Sequence, residues 1–592
     1  MIKVQKLSYS IPQKDLYKKI SFTLEDGQHC AFIGSNGTGK STLVDMIMHK
    51  EEYLYDGKIE LAPHCRVGYI SQFSTEVTNP SLTVLDYLSE QFVQAQEEIA
   101  AICVEMETAE DMEAAFEKYQ KALDAFSAIG GDAYESNILK QLKLAGLENY
   151  RDNVITTLSS GEFKIIQVIR QMITEPNLLI MDEPDVYLDF AHINALMNLI
   201  NAYKGTMLVV THNRYLLNHC FNKILHLENA DIQEFDGSYT DYRFNLLQTK
   251  MEMQELAAAD LEEIERNEKV VEKLRAEATM YTDATRGRAL HARVSLLERL
   301  KARRIKEPFV DISQPEIHFS TDLSQEMTAT ETESATIRDR IVLSLTDYSA
   351  AFDELLLSGV NFELKANEKV AIVGANGTGK TTMLRQIFAN QQESIKVTDG
   401  VEMAFLSQFP GETLSETNTI IEEFETVGFE TEKEIAAFLS GYGFQEDELR
   451  KKIATFSGGE KNLLQLAKLA AGNANLLLLD EPTSHLDLYG QAALEKALNE
   501  YNGAILMVSH DFYTIADCMD AVLLVEGQTM RKMSIRKFRK MIYADHFDKD
   551  YLELEQKKKE LEMRVEKVLI QKDFEQAQKI SEELEAVIKK MQ

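Results

Sequence analysis

An eight-residue pattern occurs twice in this chain, 340 positions apart: Gly34-Ser-Asn36-Gly37-Thr-Gly39-Lys40-Ser41 and Gly374-Ala-Asn376-Gly377-Thr-Gly379-Lys380-Thr381, each followed by a threonine, Thr42 or Thr382. Two glycines, a lysine and a hydroxyl residue at this spacing form a phosphate loop, which needs an apolar strand leading in and a helix leading out. The run Cys30 to Ile33 supplies such a strand before the first loop. In that setting the loop amides and the positive end of the helix from Lys40 surround a nucleotide's phosphates. Lys40 reaches the outer ones, and the Ser41 hydroxyl ligates Mg²⁺. Lys380 and Thr381 take the same parts in the second copy. The expected fold class is therefore α/β, two phosphate-loop domains on one chain.

A second pair of landmarks follows each loop. Leu178-Leu-Ile-Met-Asp182-Glu183-Pro184 and Leu479-Asp480-Glu481-Pro482 end apolar runs in two carboxylates. The aspartate suits the Mg²⁺ shell and the glutamate suits polarising an attacking water. Gln72 follows the strand-like Val67 to Ile70, Leu158-Ser159-Ser-Gly161-Glu162 precedes a helix-patterned run, and Thr211-His212 follows the apolar Met207 to Val210. In the second half stand Gln408, Phe456-Ser457-Gly458-Gly459-Glu460, His485-Leu-Asp487 and Ser509-His510. Ser159 and Ser457 each lie 23 residues before the aspartate of their half, and the histidine 30 residues after it. Equal spacing implies one fold made twice.

Taken together these residues resemble an ATP-binding cassette. The resemblance implies that Gln72 and Gln408 are the Q-loop residues beside Mg²⁺, that Ser159 to Glu162 and Ser457 to Glu460 are the signatures, and that His212 and His510 are the switch histidines. It further implies an aromatic stacked on adenine ahead of each loop. Tyr348 stands at that place in the second half; in the first, Tyr9 is near it and Ile11 aligns with it. Two such units face head to tail, so the site of Lys40, Glu183 and His212 receives the signature at Ser457. The site of Lys380, Glu481 and His510 receives Ser159-Ser160-Gly161-Glu162, in which a serine replaces a glycine. The first half also carries Asp185-Val-Tyr187 where the second carries Thr483-Ser-His485. The two sites are expected to be unequal, the second cassette's being the impaired one.

Between the halves, Tyr242 to about Asp283 contains neither proline nor glycine, and Leu261, Ile264, Val271 and Leu274 recur at coiled-coil spacing. One long helix is expected. After a break near Thr282 to Gly287, Leu290, Val294, Leu297 and Leu300 continue the spacing, as in a returning antiparallel helix that Pro308 stops. A net charge of −33 argues against indiscriminate adhesion to nucleic acid or anionic lipid. The clearest local reversal is Arg286 to Lys306, with eight basic residues, Arg286, Arg288 and Arg293 among them, against one acid, Glu298. That suits an RNA backbone.

The tip, Ala284 to Arg293 followed by Leu297-Glu298-Arg299-Leu300, resembles the linker of the ABC-F family. The resemblance implies an ATPase with two cassettes and no membrane domain, monomeric off the ribosome. Its linker enters the ribosome's tRNA exit site, towards the peptidyl-transferase centre, meeting large-subunit rRNA and tRNA. ATP and Mg²⁺ are the implied ligands. Within that family the chain either protects the ribosome from antibiotics or acts as a translation factor that adjusts tRNA or frees stalled ribosomes. The soluble ATPase of a transporter and a chromosome-structuring ATPase are the readings from other classes.

The expected boundaries are 1–241 for the first cassette, with a helical arm at about 90–130, 242–310 for the linker hairpin, 311–338 for a flexible connection, 339–546 for the second cassette, and 547–592 for a coiled-coil hairpin. The arm falls in the 38 extra residues between Gln72 and Ser159 relative to Gln408 and Ser457. Five cysteines without metal spacing, and an amino terminus with no apolar core, point to a cytoplasmic protein.

Overall fold

The computed structural model describes residues 1–11, 14–63, 65–71, 79, 81–107, 111–280, 293–295, 297–298, 315–320, 340–351, 355–544 and 549–591. They fall into two compact units, Met1–Ser238 with Ser313–Lys540, and Tyr239–Ile312 with Met541–Gln592. No described helix is long and apolar enough to cross a membrane.

The first unit holds both cassettes. In the first, an antiparallel sheet ordered β2-β1-β4 uses β1 (Ile2–Ile11), β2 (Lys14–Leu24) and β4 (Asp56–Leu61). A six-stranded sheet is built from β3 (His29–Ile33), β5 (Val67–Ile70), β6 (Leu178–Asp182), β7 (Thr206–Val210), β8 (Lys223–Glu228) and β9 (Asp231–Asp236). Its order is β5-β6-β7-β3-β8-β9, parallel except for β9. β6 and β7 are buried along their whole length. Parallel strands covered on both faces need such unbroken apolar runs, and the carboxyl ends of these strands form the edge where ligands bind in α/β sheets.

The helices are α1 (Lys40–Met48), α2 (Val84–Met106), α3 (Met112–Ala128), α4 (Tyr134–Leu144), α5 (Ser160–Met172), α6 (Phe190–Ala202) and α7 (Arg214–Cys220). α2 and α3, of 23 and 17 residues, are the long helices of the stretch between Gln72 and Ser159, which is 38 residues longer than its counterpart in the second cassette. Thr83 and Asp86 close a capping box at the start of α2, and Asp111 caps α3 through the amides of Glu113 and Ala114.

The second cassette repeats the plan. An antiparallel sheet ordered β11-β10-β13 joins β10 (Ile341–Ala351), β11 (Leu355–Lys365) and β13 (Ile395–Val397). The large sheet runs β14-β15-β16-β12-β17-β18. Its strands are β12 (Lys369–Val373), β14 (Met403–Leu406), β15 (Leu476–Asp480), β16 (Ala504–Val508), β17 (Ala521–Glu526) and β18 (Thr529–Ser534).

In the second unit, α8 (Tyr239–Met280) is one helix of 42 residues, about 63 Å at 1.5 Å per residue. It starts three residues before the expected boundary. Residues 281–292 and 299–314 lie outside the described residues, and with them the linker turn and most of the returning helix; 293–295 and 297–298 are helical. Of the connection expected at 311–338, the structure describes 315–320.

The second cassette's helices are α9 (Lys380–Ala389), α10 (Ile420–Glu425), α11 (Glu432–Ser440), α12 (Gly458–Ala470), α13 (Leu488–Glu500), α14 (Phe512–Cys518) and α15 (Ile535–Ala544). The tail is α16 (Lys549–Ile570) and α17 (Phe574–Met591), and it belongs to the second unit with α8. Leu561, Val565, Ala577, Ile580, Leu584 and Ile588 of the tail share one apolar cluster with Met251. The amphipathic spacing of α16 and α17 thus serves packing.

Candidate functional site

Each phosphate loop leaves the carboxyl end of a central strand, β3 or β12, and turns into α1 or α9. Gly39 and Gly379 sit just before those helices at φ 100° and 89°, a conformation that side chains disfavour. The lysine beyond each glycine is buried and folds back over its own loop. Lys40 Nζ donates to the carbonyls of Gly34 and Ser35, both at 2.9 Å. Lys380 Nζ does the same to Gly374 at 2.8 Å and Ala375 at 2.6 Å. Burial lowers both lysines below the usual ammonium range, while nearby carboxylates, Asp487 and Glu183 for Lys40 and Glu481 for Lys380, oppose that shift.

The carboxylates end β6 and β15, as their apolar runs require. Thr381 Oγ1 donates to Asp480 Oδ1 at 3.1 Å. Among the described residues Asp182 Oδ1 and Asp480 Oδ2, both buried, accept no hydrogen bond. Burial raises Asp182, and it takes Asp480 up to about 6. Buried carboxylate oxygens of this kind, beside a hydroxyl and a lysine, fit a hard divalent cation. The following residues, Glu183 and Glu481, adopt φ of 46° and 48°, sparsely populated for a side-chain residue. The Glu183 amide donates to Val210 and the Glu481 amide to Val508, each at 2.9 Å, which fixes both glutamates beside the ends of β7 and β16. Burial, then the adjacent aspartate, pushes Glu183 up to about 7 and Glu481 up to about 8.

Of the switch histidines, His212 is buried and His510 nearly so. His510 Nε2 lies 3.1 Å from Asn376 Oδ1 and 3.6 Å from Glu481 Oε1. Burial drives His510 down to about 3, so its ring is neutral. His212 is likewise held well below the ordinary value by burial, and among the described residues neither of its ring nitrogens makes a hydrogen bond.

The cassettes meet head to tail. The Asn36 amide of the first loop donates to Asp487 Oδ2 at 2.8 Å, and its side chain donates to the His485 carbonyl at 2.8 Å. In reverse, the Asn376 amide donates to Asp189 Oδ2 at 3.1 Å and its side chain to the Tyr187 carbonyl at 2.9 Å. Gly459 of the second signature lies against the first loop, since a Cβ there would run into the Asn36 side chain and come within 2.6 Å of the His485 carbonyl. Ser159 and Ser457 cap α5 and α12, and Glu162 and Glu460 close each capping box on the serine amide. That accounts for the equal spacing of serine and glutamate within the two signatures: both serve the helix start.

Gln72, Arg286 and Arg288 are outside the described residues; Arg293 is exposed and helical; Gln408 is half-buried just beyond β14. Tyr348 is not an adenine platform. It is wholly buried in the second cassette's core, and its hydroxyl donates to Gln386 at 2.6 Å, so neither ring face is free for a base. Tyr9 packs on Tyr17 and Tyr53, whereas Ile11 is exposed.

Sequence reasoning missed Asp189, whose signal was the shared Leu-Asp pair at 188–189 and 486–487. It also missed Tyr17, which donates to the Gly39 carbonyl at 2.5 Å beneath the first loop, and His192, whose Nδ1 is 2.7 Å from Asp189 Oδ1. His192 stands where the second cassette has Gly490, at the same step after the capping aspartate.

Two phosphate loops, a carboxylate pair at the end of each buried strand and loop contacts that cross in both directions between the cassettes define a twin-cassette ATPase. A family model described as ABC transporter matches residues 17–186 and 357–484, just over half of the chain. The chain belongs to that ATP-binding-cassette family, in its F branch, and is an ATPase. It is 29% identical to the uncharacterized ABC transporter ATP-binding protein YfmM of Bacillus subtilis, over 87% of this chain and 96% of that one. With the probable ATP-binding protein YheS of Escherichia coli K12 it shares 26% over 86% and 76%, and with ABC transporter F family member 2 of Arabidopsis thaliana 27% over 88% and 76%. Among solved structures the RNase-L Inhibitor has the same fold at a TM-score of 0.56 and 17% identity, with 92% of each chain covered. A model of ribosome-bound archaeal Pelota and ABCE1 gives 0.52 at 17%, covering 92% of this chain and 80% of that one.

Proposed function

We propose that this chain acts on the ribosome: with ATP held between its cassettes it binds there, its linker enters near the peptidyl-transferase centre, and antibiotics bound at that centre lose their hold. The observation that carries the reading is the reciprocal contact of each phosphate loop with the other cassette, Asn36 on Asp487 and Asn376 on Asp189. A nucleotide at either loop is thereby shared, and closure of both sites fixes the chain from which the linker departs. The basic run 286–306 in a chain of net charge −33 supplies the surface for rRNA and tRNA, through Arg286, Arg288 and Arg293. The ribosome-bound state of ABCE1, a protein of the same fold, is in keeping with this partner.

At each site the loop from Gly34 to Thr42, or from Gly374 to Thr382, holds the phosphates. Ser41, Gln72 and Asp182, or Thr381, Gln408 and Asp480, would hold Mg²⁺, which supplies neutralisation of the phosphate charge. Glu183 and Glu481 orient and polarise water, and neutral His212 and His510 hold the reacting end of the nucleotide. The ATPase works as a monomer in the cytoplasm, where ribosomes are. Its two sites hydrolyse unequally, because Tyr187 meets the second cassette's loop, His192 pairs with the Asp189 that meets it, and Ser160 replaces a signature glycine.

The test is a Glu183→Gln, Glu481→Gln variant with ATP and purified bacterial ribosomes. It should pellet with the ribosomes, and it should stay in the supernatant without ATP. A variant that remains free under both conditions sinks the reading. Expression in a sensitive strain should raise tolerance to lincosamides, pleuromutilins, macrolides or phenicols; ribosome trapping without raised tolerance would make the chain a translation factor instead.

A further inference from the structure

The end of the second cassette carries charge that its fold does not require. From Thr529 to Lys540 there are six basic residues, Arg531, Lys532, Arg536, Lys537, Arg539 and Lys540, and no acid. The matching stretch of the first cassette, Asp231 to Tyr242, forms the same antiparallel last strand and the start of the next helix. It holds Asp231, Glu234, Asp236 and Asp241, and no base. One fold position therefore tolerates either sign, and the positive one sits in a strongly acidic chain.

Two of the six are engaged within the cassette. Arg539 binds the Ala516 carbonyl and lies 3.4 Å from Asp517; Lys532 pairs with Glu368 at 2.5 Å and sits over the Phe362 ring. Arg531 comes no nearer than 3.8 Å to Glu526. Arg536, Lys537 and Lys540 are exposed, and among the described residues they form no ion pair. Arg536 and Lys540 are four residues apart, hence on one face of α15.

The apolar side of α15 is already spent. Phe538 is fully buried, stacked on Phe512 at 6.1 Å and edge-on to Phe190 at 6.0 Å. A helix that lies on lipid needs a free apolar face beside its cationic one. This one presents cations from a helix anchored by Phe538 against Phe512 of its own cassette and Phe190 of the other, an arrangement suited to a phosphodiester backbone.

We propose that β18 and α15 form an RNA-backbone surface on the second cassette, separate from the linker, with Arg536, Lys537 and Lys540 as its principal contacts. The choice of RNA over other polyanions rests on the ribosome reading above. The experiment compares the parent Glu183→Gln, Glu481→Gln protein with the same protein carrying Arg536→Ala, Lys537→Ala and Lys540→Ala, binding purified bacterial ribosomes in ATP across a KCl series. Each lost phosphate contact should flatten the plot of log affinity against log salt by about 0.7 to 0.9, so the triple change should flatten it by about 2 to 3. The triple change in the otherwise unaltered chain should leave basal ATP hydrolysis as it was, which shows that the fold is intact. An unchanged slope and affinity on ribosomes overturn this inference while leaving the ribosome reading in place. A parent that does not bind ribosomes at all removes both. Binding of the parent to phosphatidylserine vesicles, lost in the triple variant while ribosome affinity holds, would make the surface a membrane contact and overturn the inference too.

Discussion

Arg214 opens α7 two residues after the first switch histidine, yet its guanidinium serves the other cassette. Nη2 lies 2.6 Å from Glu495 Oε1 on α13, 2.9 Å from Asp511 Oδ2 and 3.3 Å from Thr514 Oγ1, and the group sits 5.1 Å over the Tyr513 ring. The three charged side chains are 14%, 12% and 17% exposed, so water screens them little. Removing one partner of a buried network costs about 3 to 5 kcal/mol, because the remaining charges stay buried without compensation. Here both acids belong to the second cassette, so Arg214→Ala should charge that cost to the contact between cassettes. At about 1.4 kcal/mol per factor of ten, the ATP needed for half-maximal closure should rise by about 100-fold or more. Arg214→Met with Glu495→Met takes a charge from each side. It leaves Asp511, whose Oδ1 still caps α14 through the amides of Tyr513 and Thr514 and whose Oδ2 still accepts from Thr514 Oγ1 at 3.0 Å. That pair should return to within about 1 kcal/mol of the parent, the net worth of an ordinary hydrogen bond. The assay is energy transfer between dyes on the two cassettes of the Glu183→Gln, Glu481→Gln protein, titrated with ATP. A double variant as weak as Arg214→Ala would refute the reasoning, since the loss would then come from the missing pair and not from stranded charge.

Two further outcomes follow from the same interface. Gly459→Ala would drive a methyl group into the Asn36 side chain and the His485 carbonyl, whereas Gly161→Ala meets the His192 ring at 3.0 Å, which can turn aside. Single-turnover hydrolysis at the first site should therefore collapse in Gly459→Ala, while Gly161→Ala keeps measurable turnover at the second; equal losses would count against the head-to-tail geometry. The raised glutamates also set the sign of the pH response. Each is protonated below its pKa and can polarise water only above it, so hydrolysis should fall as pH drops through about 7 for Glu183 and about 8 for Glu481. Rate against pH should fall towards acid both in Glu481→Gln, which reports the first site, and in Glu183→Gln, which reports the second, and a rate that stays flat from alkaline to mildly acidic pH would contradict the assignment.

What the sequence made legible is what local physics dictates. A glycine loop between an apolar strand and a helix, or five buried residues ending in two acids, leaves a pattern within a dozen positions. Arg214 with Glu495 and Asp511, separated by 281 and 297 residues, leaves none. Tyr348 misled for a different reason. It lies on β10 between two irregularities of register, from Leu345 to Tyr348 and from Tyr348 to Ala350, and a shift of one residue turns a strand side chain to the opposite face. The resemblance gave its place along the chain and not the side of the sheet it faces. The basic end of the second cassette went unread because it is short and adjoins no motif; setting it beside Asp231 to Asp236 is what exposes it.

The departures of the first half from the second then acquire a single location. Ser160 stands for Gly458, Tyr187 for His485 and His192 for Gly490, three substitutions scattered over 33 residues. Head-to-tail contact brings two of them to the second cassette's loop, Tyr187 directly and His192 through Asp189. Tyr187 and Asp189 hold the second loop through Asn376, His192 pairs with that same Asp189, and Gly161, next to Ser160, lies against the His192 ring. The first cassette's own loop meets none of them in the contacts described, because it faces Asp487, His485 and Gly459. A chain under pressure to keep both sites alike would have to match changes made in different halves. One free to let them differ can alter its first half alone, and the consequence falls on the nucleotide held by the second.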